Sequence, residues 1–183
     1  FRDPHMFWNE DIKKWNMILA EGQHMNIYSS DDLKAWTLES QFGAEYGNHG
    51  GVWECPDLMK LRVRGTDKYK WMLICNINPG GPFGGSATQY LVGDFDGKKF
   101  TCETAPGVTR WMDYGKDHYA TVTFDNAPNG RHVAIAWMSN WQYANQVPTK
   151  QYRSGNSIPR DLDLYEYEGN TYCGVTPSPE LTA

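Results

Sequence analysis

Long apolar runs, sustained helical stripes, paired-cysteine motifs and an excess of positive charge are all missing from this sequence, and each absence removes a class of protein. No stretch approaches the ~20 consecutive apolar residues of a membrane-spanning helix, so no membrane insertion is expected. No charged-then-apolar secretory segment precedes Phe1, and the chain opens without Met, which reads as a processed or truncated product. Cys55, Cys75, Cys102 and Cys173 show neither C-x-x-C nor Cys/His ligand spacing. A zinc site is therefore not expected, nor any other metal or cofactor, and the four thiols read as small buried hydrophobes. Lys and Arg number 17 against 22 Asp and Glu, for a net charge of −5, and they are scattered. That argues against a nucleic-acid partner.

Aromatic residues, by contrast, make up 14% of the chain, with 8 Trp and 11 Tyr. Such a content suits a protein that stacks rings on sugars, although the same side chains also fill cores. Short alternating or β-rich runs bounded by Gly, Asn, Asp and Pro recur throughout, and no helical stripe lasts three turns. The expectation is an all-β protein in one domain spanning residues 1–183. The runs group in fours. Candidate strands 4–8, 15–20, 26–29 and 36–39 form one unit; 53–63, 69–76, 88–93 and 99–103 a second; 119–125 and 131–139, with a long polar return, a third. A fourth unit is expected to begin near Asp163. The Gly/Pro-dense segment 78–86 lacks the Lys and following helix of a phosphate-cradling loop, so it reads as a long surface turn.

The first strand of each unit opens near an acid, at Asp3, Glu54 and Asp117, roughly 50 and 60 positions apart. Four-stranded units with a repeat of about 40 to 60 residues are the pattern of propeller blades, whose innermost strands line a central channel. On that reading the three acids converge on one mouth of the channel. A β-sandwich with acids at its rim is the alternative. Glu54 is flanked by Trp53, Cys55 and Pro56, surroundings that can raise a carboxyl pKa and keep its proton for general-acid work.

Four segments, Phe1-Arg2-Asp3-Pro4, Trp53-Glu54-Cys55-Pro56-Asp57, Asp113-Tyr114-Gly115-Lys116-Asp117-His118-Tyr119-Ala120 and Trp137-Met138-Ser139-Asn140-Trp141, occur in an order and spacing that resemble glycoside hydrolase family 32 over nearly the whole chain. The resemblance implies a five-bladed propeller, usually followed by a β-sandwich, and retaining hydrolysis of β-fructofuranosidic bonds in levan, inulin or sucrose. It implies that Glu54 is the general acid/base, that Asp3 holds fructose hydroxyls and stabilises the oxocarbenium-like transition state, and that Arg2 orients the fructosyl ring. Asp117 and Tyr119 would border the pocket, and Trp53 is either a substrate contact or a core ring. The segments 141–145 and 158–162 resemble microbial levanases and exo-inulinases more than plant invertases.

The family nucleophile is an Asp in an Asn-Asp-Pro motif upstream of Arg-Asp-Pro, and this sequence contains no such motif. By that comparison the chain supplies three to four blades, and the isolated chain is expected to be inactive. Its uncovered sheet faces then call for the missing N-terminal blade, a C-terminal β-sandwich or self-association. A noncatalytic fructan-binding module is the competing expectation, and a neighbouring propeller family acting on arabinose and xylose linkages the enzymatic one. Digestion of external fructans would place such a protein in the periplasm or outside the cell.

Overall fold

The alternating and β-rich runs become strands in the computed structural model, which describes residues 1–182, and no α-helix forms among them. The strands build three antiparallel sheets in chain order. The first sheet is β1 (Arg2–Asn9), β2 (Lys14–Glu21), β3 (His24–Ser30) and β4 (Thr37–Phe42), each hydrogen-bonded to the next. The second is β5 (Val52–Arg62), β6 (Tyr69–Asn78), β7 (Ala87–Phe95) and β8 (Phe100–Cys102), with the short β9 (Arg110–Trp111) sharing the same edge of β7. In the third, β10 (Tyr119–Phe124) pairs with β11 (His132–Met138), whose other edge takes both β12 (Gly155–Asn156) and β13 (Arg160–Tyr167); β14 (Asn170–Pro177) closes the sheet.

This arrangement corrects one expectation. The strand around Asp163 does not open a fourth unit; it pairs with β11 at Val133–Asp161 and its neighbours, as the third main strand of the third sheet. The reason lies in the long polar return, which contributes only the two-residue β12 and leaves most of the β11 edge free.

The opening strands β1, β5 and β10 lie side by side, and the middle sheet is covered on both faces. Strand alternation explains how. On β6, Trp71, Leu73, Cys75 and Ile77 face the first sheet and meet Ile18, Met25 and Ile27. The intervening Met72 and Ile74 face the third sheet and meet Ala134, Leu162 and Leu164. Full burial of those β6 side chains at roughly 2 kcal/mol each makes both interfaces strongly apolar in origin.

Candidate active site

Each opening strand is interrupted at the same place. The pairing register slips between Arg2 and His5 on β1, between Glu54 and Asp57 on β5, and between Tyr119 and Val122 on β10. Within each slip one non-glycine residue takes a left-handed backbone: Asp3 at φ 56°, Cys55 at φ 43° and Ala120 at φ 52°. These are β-bulges, and a bulge flips the side-chain alternation downstream. The consequence is visible on β5. Trp53 faces the first sheet, and after the bulge so does Leu58, while Met59 and Leu61 face the third. A left-handed Cys or Ala costs about 1 to 3 kcal/mol, a strain that persists only where the surroundings impose it.

The bulges also redefine which residues correspond. Asp3, Cys55 and Ala120 are equivalent, so Arg2, Glu54 and Tyr119 share the preceding position and His5, Asp57 and Val122 the position after the slip. The expectation that Asp3, Glu54 and Asp117 are equivalent acids is therefore corrected: they stand at three different positions relative to the bulge.

The Asp3 and Glu54 segments nevertheless meet across β1 and β5. The Arg2 guanidinium donates to the Glu54 carboxylate, whose side chain is 19% exposed. Asp3 Oδ2 accepts the backbone N–H of Cys55 at 2.9 Å and lies 3.7 Å from its Sγ. Burial, followed by the charges of Asp3 and Glu54, pushes the Cys55 thiol up to about 12, so it stays a neutral thiol. All four cysteines are free. The surroundings of Glu54 differ from those expected in one respect: its partner is the Arg2 cation, while the Trp53 ring points to the opposite face of the strand.

Trp53 is fully buried, with Nε1 donating to the Asn48 carbonyl at 2.8 Å and its ring stacked on His49 at 5.0 Å between centroids. Of the two readings of Trp53, this burial fits the core ring. Gly51 lets this segment close down, since a Cβ there would lie 1.9 Å from the Pro79 carbonyl oxygen. Tyr119 is only 3% exposed, tilted against Trp137, and its hydroxyl has no hydrogen-bond partner among the described residues. Asp117 is exposed on the loop before β10 and accepts the Tyr143 hydroxyl; no hydrogen bond or ion pair among the described residues joins it to Arg2, Asp3 or Glu54. Burial and that carboxylate push the Tyr143 phenol up to about 12. The 78–86 turn is anchored to the segment after β11 by Asn140, which accepts from Ser86 N and donates to the Ser86 carbonyl at 3.1 Å.

Sequence reasoning passed over the groups just behind the carboxylates. His5 Nδ1 lies 3.1 Å from Asp57 Oδ1, and Asp57 Oδ2 accepts both the backbone N–H of Thr123 at 2.8 Å and its hydroxyl at 2.6 Å. Thus β1, β5 and β10 are tied together one step past their bulges. Burial raises the Asp57 pKa, opposed by His5 and the Thr123 bonds. The repeated X-Pro pairs, Asp3-Pro4 followed by His5 and Cys55-Pro56 followed by Asp57, were the signal that could have located this tie. A cavity of about 360 Å³ is lined by His5, Asp57, Lys60, Asp125 and His132 among others. No cluster of three or more metal-ligating side chains occurs among the described residues.

This geometry can be set beside known proteins. The family model described as "Glycosyl hydrolases family 32 N-terminal domain" matches residues 1–173. The levanase of Bacillus subtilis strain 168 is 48% identical over 184 residues, covering 99% of this chain and 27% of the levanase. An extracellular exo-inulinase of Aspergillus niger is 45% identical over 180 residues, covering 93% of this chain and 33% of the inulinase. Among solved structures, a fructofuranosidase from Schwanniomyces occidentalis complexed with fructose superposes with a TM-score of 0.87 at 39% identity, over 98% of this chain and 36% of that one. The chain thus spans about a quarter to a third of the length of the relatives it matches.

Proposed function

This chain belongs to glycoside hydrolase family 32, and from that premise we propose that it is the channel-lining part of a retaining hydrolase of β-fructofuranosidic bonds in fructans or sucrose. The supporting observation is the Arg2–Glu54 pair set beside Asp3 on two adjacent inner strands. The three sheets are then three blades of a five-bladed propeller, the rest of the longer protein supplying the other blades and a C-terminal β-sandwich. Coverage of 27% of the levanase leaves room for both.

In this reading Glu54 protonates the leaving oxygen, and then deprotonates the water that releases the fructosyl group. Arg2 exchanges its contact with Glu54 for the fructosyl hydroxyls as substrate enters, which frees the carboxyl for the leaving group. Asp3, anchored on the Cys55 N–H, grips hydroxyls and faces the positive charge that develops on the ring. Asp117 and Tyr119 border the rim of the same pocket. A retaining glycosidase needs a second carboxylate about 5 to 5.5 Å from the first to act as nucleophile. The Asp of an Asn-Asp-Pro motif elsewhere in the longer protein fills that place, so the isolated 183-residue chain turns over little or nothing.

The full-length protein and its Glu54→Ala variant test this. The wild type should release fructose from levan, inulin or sucrose, and the variant should lose about 10²-fold or more in kcat/KM on these poor leaving groups and much less on an activated aryl fructoside. An equal loss on both substrates refutes the role of Glu54. Fructan binding without any turnover by the full-length wild type makes the protein a binding module instead.

A further inference from the structure

Asn76, on β6, is completely buried, and both ends of its amide are used twice. Nδ2 donates to the Cys55 carbonyl at 2.9 Å and to the Thr121 carbonyl at 3.1 Å. Oδ1 accepts the Thr121 backbone N–H at 2.9 Å and the Thr88 hydroxyl at 2.7 Å. The backbone N–H of Thr121 can only donate and the two carbonyls can only accept, so the amide has one consistent orientation. A buried amide with every site satisfied holds its partners in one geometry.

Those partners are the bulges themselves. Cys55 is the left-handed residue of the β5 bulge, immediately after Glu54, and Thr121 follows the left-handed Ala120 of the β10 bulge. The Cys55 peptide is gripped from both sides, since its N–H goes to Asp3 and its carbonyl to Asn76. One chain of hydrogen bonds therefore runs from Asp3 through Cys55 and Asn76 to Thr121, linking the bulges of three sheets. Strand alternation places Asn76 on the face of β6 that looks toward the third sheet, where its neighbours Met72 and Ile74 are apolar. An amide in that row has no packing purpose that Leu would not serve better, because burying it unpaired would cost about 1 to 3 kcal/mol.

We propose that Asn76 is a positioning residue for the acid: it fixes the left-handed Cys55 peptide and so aims the Glu54 carboxyl at the leaving oxygen, without touching substrate. The inference rests on the fructosidase reading above. Loss of this clamp lets the Cys55 peptide relax from its left-handed conformation, which shifts the adjoining Glu54 backbone and with it the direction of the Glu54 side chain. Glu54 then no longer reaches the leaving group. Misplacement of a catalytic group by about 1 Å costs on the order of 10²-fold in rate.

The test uses the full-length protein with Asn76→Ala, compared with Met72→Ala on the same face of the same strand as a control for simple destabilisation. Both are assayed well below their melting temperatures, as kcat/KM on sucrose and on an aryl fructoside with a good leaving group. Asn76→Ala should lose roughly 30-fold or more on sucrose and less than about threefold on the aryl fructoside, because only the first needs the proton from Glu54. Met72→Ala should change both by the same small factor. If Asn76→Ala does not fold, Asn76→Ser is scored on the same ratio. Equal losses on the two substrates overturn the inference, as does failure of both variants to fold, which makes Asn76 purely a scaffold residue. A full-length wild type inactive on both substrates instead overturns the fructosidase reading on which the inference stands.

Discussion

Acidification should destabilise this domain in large part through a buried side chain, His118. It is 3% exposed, just before β10, and neither ring nitrogen has a hydrogen-bond partner among the described residues. Burial, assisted by the nearby positive charge of Arg160 and opposed by Asp113, pushes its pKa down to about 4 from the ordinary 6.5. A histidine whose folded-state pKa is depressed refuses a proton that the unfolded chain accepts. Stability is therefore intact above pH 6.5 and drains away as the pH falls toward 4. Between pH 7 and 5 the loss amounts to roughly 2 kcal/mol, approaching about 3 kcal/mol by pH 4, at about 1.4 kcal/mol for each tenfold difference in proton affinity. His118→Phe removes both unpartnered nitrogens at nearly constant shape. It should match or exceed the wild type at pH 7, where overpacking costs at most about 1 kcal/mol and two orphaned polar atoms are relieved. The assay is urea unfolding of the full-length protein and the variant at several pH values, followed by tryptophan fluorescence. The difference between the two curves isolates His118 from every other titrating group. A variant whose stability falls with acid as steeply as that of the wild type would refute the assignment.

Other consequences follow from contacts on the same strands. Asp57→Ala deletes both Thr123 bonds and leaves His5 facing an empty site, so it should cost about 3 kcal/mol in unfolding free energy, measured by urea titration at pH 7. Gly85→Ala places a Cβ 1.9 Å from Asn140 Oδ1 at φ +71° and should lose about 2 kcal/mol or more in the same titration. Gly130→Ala, at φ +66° but in open space, should lose only about 1 kcal/mol, so equal losses at the two glycines would show that the Asn140 anchor contributes nothing.

Much of this protein is decided by local pattern. The β-rich apolar runs 53–63, 69–76 and 88–93, bounded by turn residues, dictate strands whose observed bounds, Val52–Arg62, Tyr69–Asn78 and Ala87–Phe95, lie close by. Those strands are locally determined because short β-rich apolar runs bounded by turn residues suit a sheet that is covered on both faces. The motif around Glu54 is equally local, since a few residues in a fixed order carry both the family likeness and the type of chemistry. The three-dimensional fold was needed wherever a choice depended on a partner strand. Arg160–Tyr167 carries the pattern of any edge or central strand, and only the free edge of β11 makes it the third strand of a sheet rather than the first. Trp53 and Glu54 are adjacent in sequence, yet the pleat sends one ring into the core and the other side chain to Arg2. The bulges at Asp3, Cys55 and Ala120 shift every downstream residue by one face, a change that no periodicity count detects because the extra residue looks like any other. Asn76 gives no signal in the sequence at all. Its role exists because two strands from different sheets bring their strained peptides within reach of one amide, and that proximity is a property of the packed structure alone.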